Sequence, residues 1–178
     1  MAKAQSESSE VLICAYQADI LYPGNKLFDC GNAVFNGYVR NSLKKSVKDG
    51  NCAAKALINA ETGELLGVCT FSAYSLQKSK VAGVVAGSLP SDIGVVRLIM
   101  LGIAAKEQNR GYGQDLLMAF FKQVKVIHQA LPIKGVYLEA APEAVNFYIR
   151  LGFVPLNEPA NVFGAVPMFL AIQHILAA

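Results

Sequence analysis

The stretch Gln108-Asn109-Arg110-Gly111-Tyr112-Gly113 has the residue types and spacing best suited to holding an anion. It lies between a β-like run at 94–104 and a segment from 114 onward whose apolar residues recur with helical spacing. Glycines at 111 and 113 lack the Cβ atoms that would block a ligand, and a loop that opens a helix aims unbonded backbone N–H groups and the positive dipole end outward. Arg110 adds a charge of the right sign. Taken alone, the loop also fits an ordinary strand-to-helix turn, because glycine pairs are common punctuation. The dinucleotide fingerprint needs three spaced glycines and a later acidic residue, and the P-loop needs Gly-Lys-Ser/Thr; neither pattern is present.

The other chemistry-bearing residues are dispersed. Cys14, Cys30, Cys52 and Cys69 lack Cys-x-x-Cys spacing, and His128 and His174 stand apart from them and from each other. This gives little support to a zinc site, a Cys–His nucleophilic pair or a serine-hydrolase triad; four reduced, mostly buried thiols and no metal are expected. His128 follows Lys122 and Lys125 and reads as a solvated helix residue. Arg40, Lys44, Lys45 and Lys48 form the densest basic cluster, with Arg40 and Lys44 on one helical face that Lys48 continues. That face reads first as solvated surface and second as a groove for nucleic acid. Glu139, Asp92, Glu107 and Glu143 are candidate general bases, and the sequence does not choose among them.

The elements that must position the loop follow from pattern. The chain has 178 residues, 53% of them hydrophobic, enough for one globular domain with a real core, expected over 11–178 after a flexible N-terminus at 1–10. The net charge of +3 permits an anionic partner without requiring one. No apolar segment approaches the ~20 residues of a membrane span and no signal peptide is evident, so a cytoplasmic protein with no membrane partner is expected. Strands are predicted at 11–16, 52–59, 64–75, 94–104, 134–139, 152–156 and 165–173, with a hairpin turn at Glu61-Thr62-Gly63. Helices are predicted within 27–47, starting after Asp29-Cys30-Gly31-Asn32, and at 111–130 and 142–151, with Pro132 and Gly152 ending the last two. The glycine-rich stretch 81–94 reads as loop or irregular strand. This order predicts an α/β fold built on one twisted mixed sheet with helices on both faces.

At this level the motifs carry a specific resemblance. Leu101-x-Ile103, then Gln108-x-x-Gly111-x-Gly113, then Ala144-x-x-x-Tyr148-x-x-x-Gly152-Phe153 resemble, in order and spacing, the GNAT acetyltransferase superfamily. The resemblance implies a single GNAT-like domain whose sheet is splayed between two parallel strands. It implies acetyl-CoA as cofactor, with its pyrophosphate on Gln108, Asn109, Arg110, Gly111, Tyr112 and Gly113, its pantetheine arm along Leu101, Gly102 and Ile103, and Asn146 among the cofactor-binding residues. It also implies Tyr148 as general acid, and the backbone N–H of Ile103 as the group stabilising charge on the thioester oxygen. Read from the residues alone, Tyr148 fits a core aromatic better, since Phe147, Ile149 and Leu151 surround it.

Each implied role has a physical basis. Pantetheine amides can extend a sheet where parallel strands part. A backbone N–H aimed at the thioester oxygen stabilises developing negative charge. A phenol with a reference pKa near ~10 stays protonated at neutral pH and can donate to a thiolate.

A narrower resemblance concerns biology. Phe28-Asp29-Cys30-Gly31-Asn32, Leu89-Pro90 before Val95-Val96, and Pro167-Met168-Phe169-Leu170 together look like the acetyltransferase toxins of bacterial toxin–antitoxin pairs. It implies transfer to the α-amine of aminoacyl-tRNA, a homodimer, and a ribbon-helix-helix antitoxin as partner. An α-amine, titrating near ~7.7–8.0, needs less help from a base than a lysine near ~10.4. The chain departs from the toxin pattern at Ile99-Met100-Leu101-Gly102-Ile103, where Met100 stands in the place of an arginine. Arg97 lies on the opposite strand face from Met100. A basic groove using Arg40, Lys44, Lys45 and Arg150 is the corresponding tRNA hypothesis. Acetylation of a small amine or a protein N-terminus, and a non-catalytic acetyl-CoA-binding module, are the alternatives.

Overall fold

The computed structural model describes residues 10–178. The expected flexible N-terminus at 1–10 therefore falls, apart from Glu10, outside the described residues. Seven strands form one sheet, β1 (Val11–Ala15), β2 (Ala53–Asn59), β3 (Leu65–Gln77), β4 (Asp92–Ile103), β5 (Gly135–Ala140), β6 (Val154–Pro155) and β7 (Val166–Ala171), in the order β1-β2-β3-β4-β5-β7-β6. Five helices accompany them: α1 (Ala33–Asn41), α2 (Leu43–Lys48), α3 (Tyr112–Ala130), α4 (Val145–Arg150) and α5 (Ile172–Ala177). This is the mixed α/β architecture expected from the motif order. β4 and β5 form the parallel pair, with Val96 on Val136 and Arg97 on Tyr137. β5 instead runs antiparallel to β7 along its whole length, from Gly135 on Ala171 to Ala140 on Val166.

Contacts divide the described residues into two compact units, 10–70 with 100–119, and 71–99 with 120–178. In the first, β1 pairs antiparallel with β2 from Val11 on Asn59 to Ala15 on Lys55. The turn after β2 is closed by Asn59, whose side-chain oxygen accepts from the N–H groups of Glu61 and Thr62, both at 2.9 Å. Phe28, Phe35, Val39, Leu43, Leu65 and Val68 anchor the apolar cluster of this unit. Tyr16 and Tyr22 stack beside them with centroids 4.8 Å apart. Asn32 starts α1 as anticipated, its side chain accepting from the Phe35 N–H at 3.0 Å.

In the second unit a chain of rings runs through the core: Phe71 with Phe120, Phe120 with Phe121, Phe121 with Phe153, and Phe153 with Tyr148. A second cluster joins Leu76, Val81, Ile93, Val95, Tyr137 and Phe169, with Val84, Val85 and Leu89 packed on it. The stretch after β3 is thus not slack. It contains a 3-10 turn at Lys78–Val81, and Lys78 N–H reaches Ser91 O at 2.9 Å, so β4 begins at Asp92 rather than at 94. α5 is a difference from expectation: the run read as strand to 173 turns helical at Ile172, burying Ile172 and Ile175 on one side. Among the described residues no helix is long and apolar enough to cross a membrane.

Candidate active site

In the first unit, β4 delivers the chain to the glycine loop. Ala104 N–H donates to Leu66 O at 2.7 Å, a 3-10 turn follows at Ala105–Glu107, and Gly111 O accepts from Gln114 and Asp115 N–H at 3.0 and 3.1 Å. Gly111 O is therefore the first acceptor of α3, which leaves the N–H groups of Tyr112 and Gly113 without acceptors inside the helix. Gly111 has φ +84°, and a Cβ placed there would meet no heavy atom within 4 Å. The open position at Gly111 directly precedes α3, whose 19 residues put the positive end of the helix dipole at this loop. This geometry fits a phosphate group.

One side chain ties the loop in this form, a role that was not visible in the sequence. Gln108 donates through Nε2 to Ile103 O and Cys30 O, both at 2.9 Å, tying the end of β4 to the segment before α1. Asn109 sits in the left-handed region at φ 62°, alone among the described non-glycine residues. Arg110 was expected to add charge toward an anion; its guanidinium pairs with Glu107 at 3.1 Å and stays half-exposed. Gly102 has a packing reason of its own: a Cβ there would stand 2.8 Å from the Phe35 ring of α1. Leu101 and Tyr112 are partly buried, and Ile103 is buried.

The segment before α1 is similarly bolted. Asp29 does not cap a helix; it accepts from Gly31 N–H at 2.8 Å and from the Asn36 amide at 2.7 Å. Those two bonds, Gly31 first, pull its carboxyl below the usual aspartate range. Arg40 donates to Phe28 O at 2.8 Å. The expected continuous basic face over 40–48 is broken at Ser42, where α1 ends and α2 begins, so Arg40 and Lys44 belong to different helices. Met100 packs against the apolar cluster of this unit, a neighbourhood that suits a thioether and not a guanidinium.

In the second unit Tyr148 lies on α4 and is 8% exposed, its ring edge-on to Phe147 and Phe153. Asn146 is exposed on the same helix. Of the four candidate bases, Glu139 is held by Arg97 at 2.6 Å and Glu107 by Arg110, while Asp92 and Glu143 are exposed. Arg97 also lies 5.4 Å from the centre of the Tyr74 ring, which stacks on Tyr137. Charged residues in the middle of apolar strands were the available signal for this cluster. Burial first, then the nearby Glu139 charge, pushes the Tyr137 phenol up to about 12. His128, in the last turn of α3, accepts through Nδ1 from the Ile133 N–H beyond the helix at 3.3 Å.

Comparison with known proteins places this geometry. The family model described as an acetyltransferase (GNAT) domain matches residues 29–170. A solved structure of a bacterial toxin is 67% identical with TM-score 0.93, covering 95% of this chain and 94% of that one. A variant of the AtaT toxin bound to the C-terminus of the antitoxin AtaR and to acetyl-CoA is 23% identical, with TM-score 0.78 over 94% of this chain and 96% of its own. A tRNA-acetylating toxin of Mycobacterium tuberculosis (strain ATCC 25618 / H37Rv) is 23% identical over 128 residues, covering 71% of this chain and 75% of its own. With a match running from the segment before α1 into the closing strand, the chain belongs to the GNAT acetyltransferase family.

Proposed function

We propose that this protein is a toxin-like enzyme that moves the acetyl group of acetyl-CoA onto the α-amine of aminoacyl-tRNA, blocking translation in the cytoplasm. The observation that carries the cofactor part is the open space at Gly111, next to the first N–H groups of α3, which have no acceptor inside the helix. Acetyl-CoA, when bound, supplies a thioester whose acetyl group an amine can take. Gln108, Asn109, Arg110, Gly111, Tyr112 and Gly113 hold the pyrophosphate, chiefly through backbone N–H groups. Leu101, Gly102 and Ile103 line the pantetheine arm with backbone groups, the Ile103 N–H stabilising charge on the acetyl oxygen. Asn146 contributes to the cofactor contacts from α4. Tyr148 gives its phenolic proton to the departing thiolate.

The acceptor reading is supported by what its relatives act on and by chemistry. Glu139 and Glu107 are both tied to arginines, an arrangement suited to an acceptor that loses its proton with little help, as an α-amine does. In this reading residues 11–178 work as one acetyltransferase domain, dimeric and neutralised by a ribbon-helix-helix antitoxin. The test adds the purified protein and labelled acetyl-CoA to a cell-free translation mixture. Label on charged tRNA with arrested synthesis is expected; label confined to small amines or protein N-termini would overturn the acceptor, and no transfer at all would leave a binding module.

A further inference from the structure

Val162 and Phe163, on the connection from β6 to β7, are the most exposed large apolar side chains of the described residues, at 94% and 88%. The turn that carries them is tightly built. Asn161 Oδ1 accepts from Phe163 N–H at 2.9 Å and from Ala165 N–H at 3.0 Å. Backbone bonds from Gly164 N–H to Asn161 O and from Asn161 N–H to Ala165 O, at 2.8 and 3.0 Å, close the same five residues. The turn is also seated: the Cβ position of Gly164 lies 3.6 Å from Pro142 Cγ, at the 3-10 turn Pro142–Ala144 that leads into α4. Pro142 stands six positions before Tyr148, on the order of 10 Å along a helical path.

Core packing does not account for this ring, since Phe163 contributes almost none of its surface to burial. A rigid turn that holds an aromatic face in solvent loses little freedom when something docks on it. Unpaired nucleotides are the ligands that aromatic faces bind by stacking, without regard to base identity. On an aminoacyl-tRNA the reacting amine is only an ester and a ribose away from the terminal base, so a platform near α4 is within reach of that base when the amine is in position.

We propose that Phe163 is a stacking platform for the unpaired 3′-terminal nucleotides of the charged RNA acceptor, with Val162 flanking the stacked base. This rests on the aminoacyl-tRNA reading above. The test measures steady-state transfer by wild type, Phe163→Ala and Phe163→Trp to two acceptors: a charged tRNA, and the amide of the same amino acid, which has the amine and no nucleotide. Phe163→Ala is expected to raise KM for charged tRNA roughly 5- to 150-fold with kcat nearly unchanged, the range that losing one base–aromatic stack produces. Phe163→Trp is expected to restore KM, and the amide is expected to react equally with all three proteins. An unchanged KM for charged tRNA in Phe163→Ala, or equal losses on both acceptors, would overturn the platform. A KM change that tracks a change in oligomeric state by analytical ultracentrifugation would assign the turn to a contact between copies and overturn it too. Wild type that acetylates the amide but no charged tRNA would instead bring down the acceptor reading on which the platform rests.

Discussion

Replacing Gly111 with alanine separates a phosphate cradle from a plain turn. Gly111 has φ +84° and open space at its Cβ position, so the added methyl clashes with nothing in the protein. The cost to folding is conformational: a left-handed alanine costs about 1–2 kcal/mol. Alanine's smaller unfolded-state freedom returns about 0.4–1 kcal/mol of that. The net is on the order of 1 kcal/mol, which for a chain of this size lowers Tm by about 2–4 °C. Gly50, at φ +74° with equally open space after α2, provides the control, and Gly50→Ala should show the same Tm loss. The two variants diverge only in ligand affinity. If the methyl at 111 enters the space of the pyrophosphate, Kd for acetyl-CoA rises at least about tenfold, roughly 1.4 kcal/mol, while Gly50→Ala binds as wild type. Titration calorimetry on both variants decides. Equal affinity in the two, with equal Tm loss, would refute the cradle.

Tyr148→Phe keeps the edge-on packing with Phe147 and Phe153, so Tm should fall by no more than a hydrogen bond's worth, about 1 kcal/mol. If Tyr148 donates the proton, kcat drops on the order of 100-fold or more with acetyl-CoA affinity unchanged; wild-type turnover would remove that role. Gln108→Ala unties Ile103 O and Cys30 O, and is expected to weaken acetyl-CoA binding severalfold and to speed amide exchange in the 104–111 loop; unaltered exchange would show that the tie is not what orders the loop. Alkaline stability tests the buried phenol. The Tyr137 pKa is raised from 10 to about 12, so its contribution to stability is whole below pH 10 and disappears as pH climbs through about 12. Burial pushes the Cys69 thiol up from 9 to about 12, which adds to the same fall from pH 9 upward. Tyr137→Phe should flatten the decline of Tm between pH 10 and 12, and an identical decline would contradict the assignment.

What the sequence made legible, and what it hid, follows from how far each interaction reaches. The β4 run and the glycines after it are local signals, and the strand, loop and helix stand where they were expected to within two residues. α5 was missed because the apolar run of β7 continues without a break into Ile172, and six residues are too few to show a helical period of their own; Ile172 and Ile175, three apart, are buried on one side of it. The break at Ser42 was hidden for a related reason, since Arg40, Lys44 and Lys48 keep helical spacing across it. In the site, Gly111 was legible because glycine at a helix start is a backbone statement. Gln108 was not, because its partners are two main-chain carbonyls, one of them 78 positions away in sequence. The pairing of Arg110 with Glu107 is local, at three residues' separation, and was open to a reading of the sequence. Gly102 carries a second requirement that the sequence did not show, since the Phe35 ring, 67 positions away, also requires it to be bare.

The bond from Gln108 to Cys30 has a consequence for how this loop can change over time. It ends on a carbonyl oxygen, an atom that every amino acid carries, so position 30 can change its side chain without loosening the tie. The Cys30 side chain is half-buried against the apolar cluster of the first unit, so what can vary there is a small apolar side chain, while the glutamine goes on holding the backbone in place. The tie and the packing at position 30 can therefore be altered independently, the first by changing Gln108 and the second by changing the Cys30 side chain.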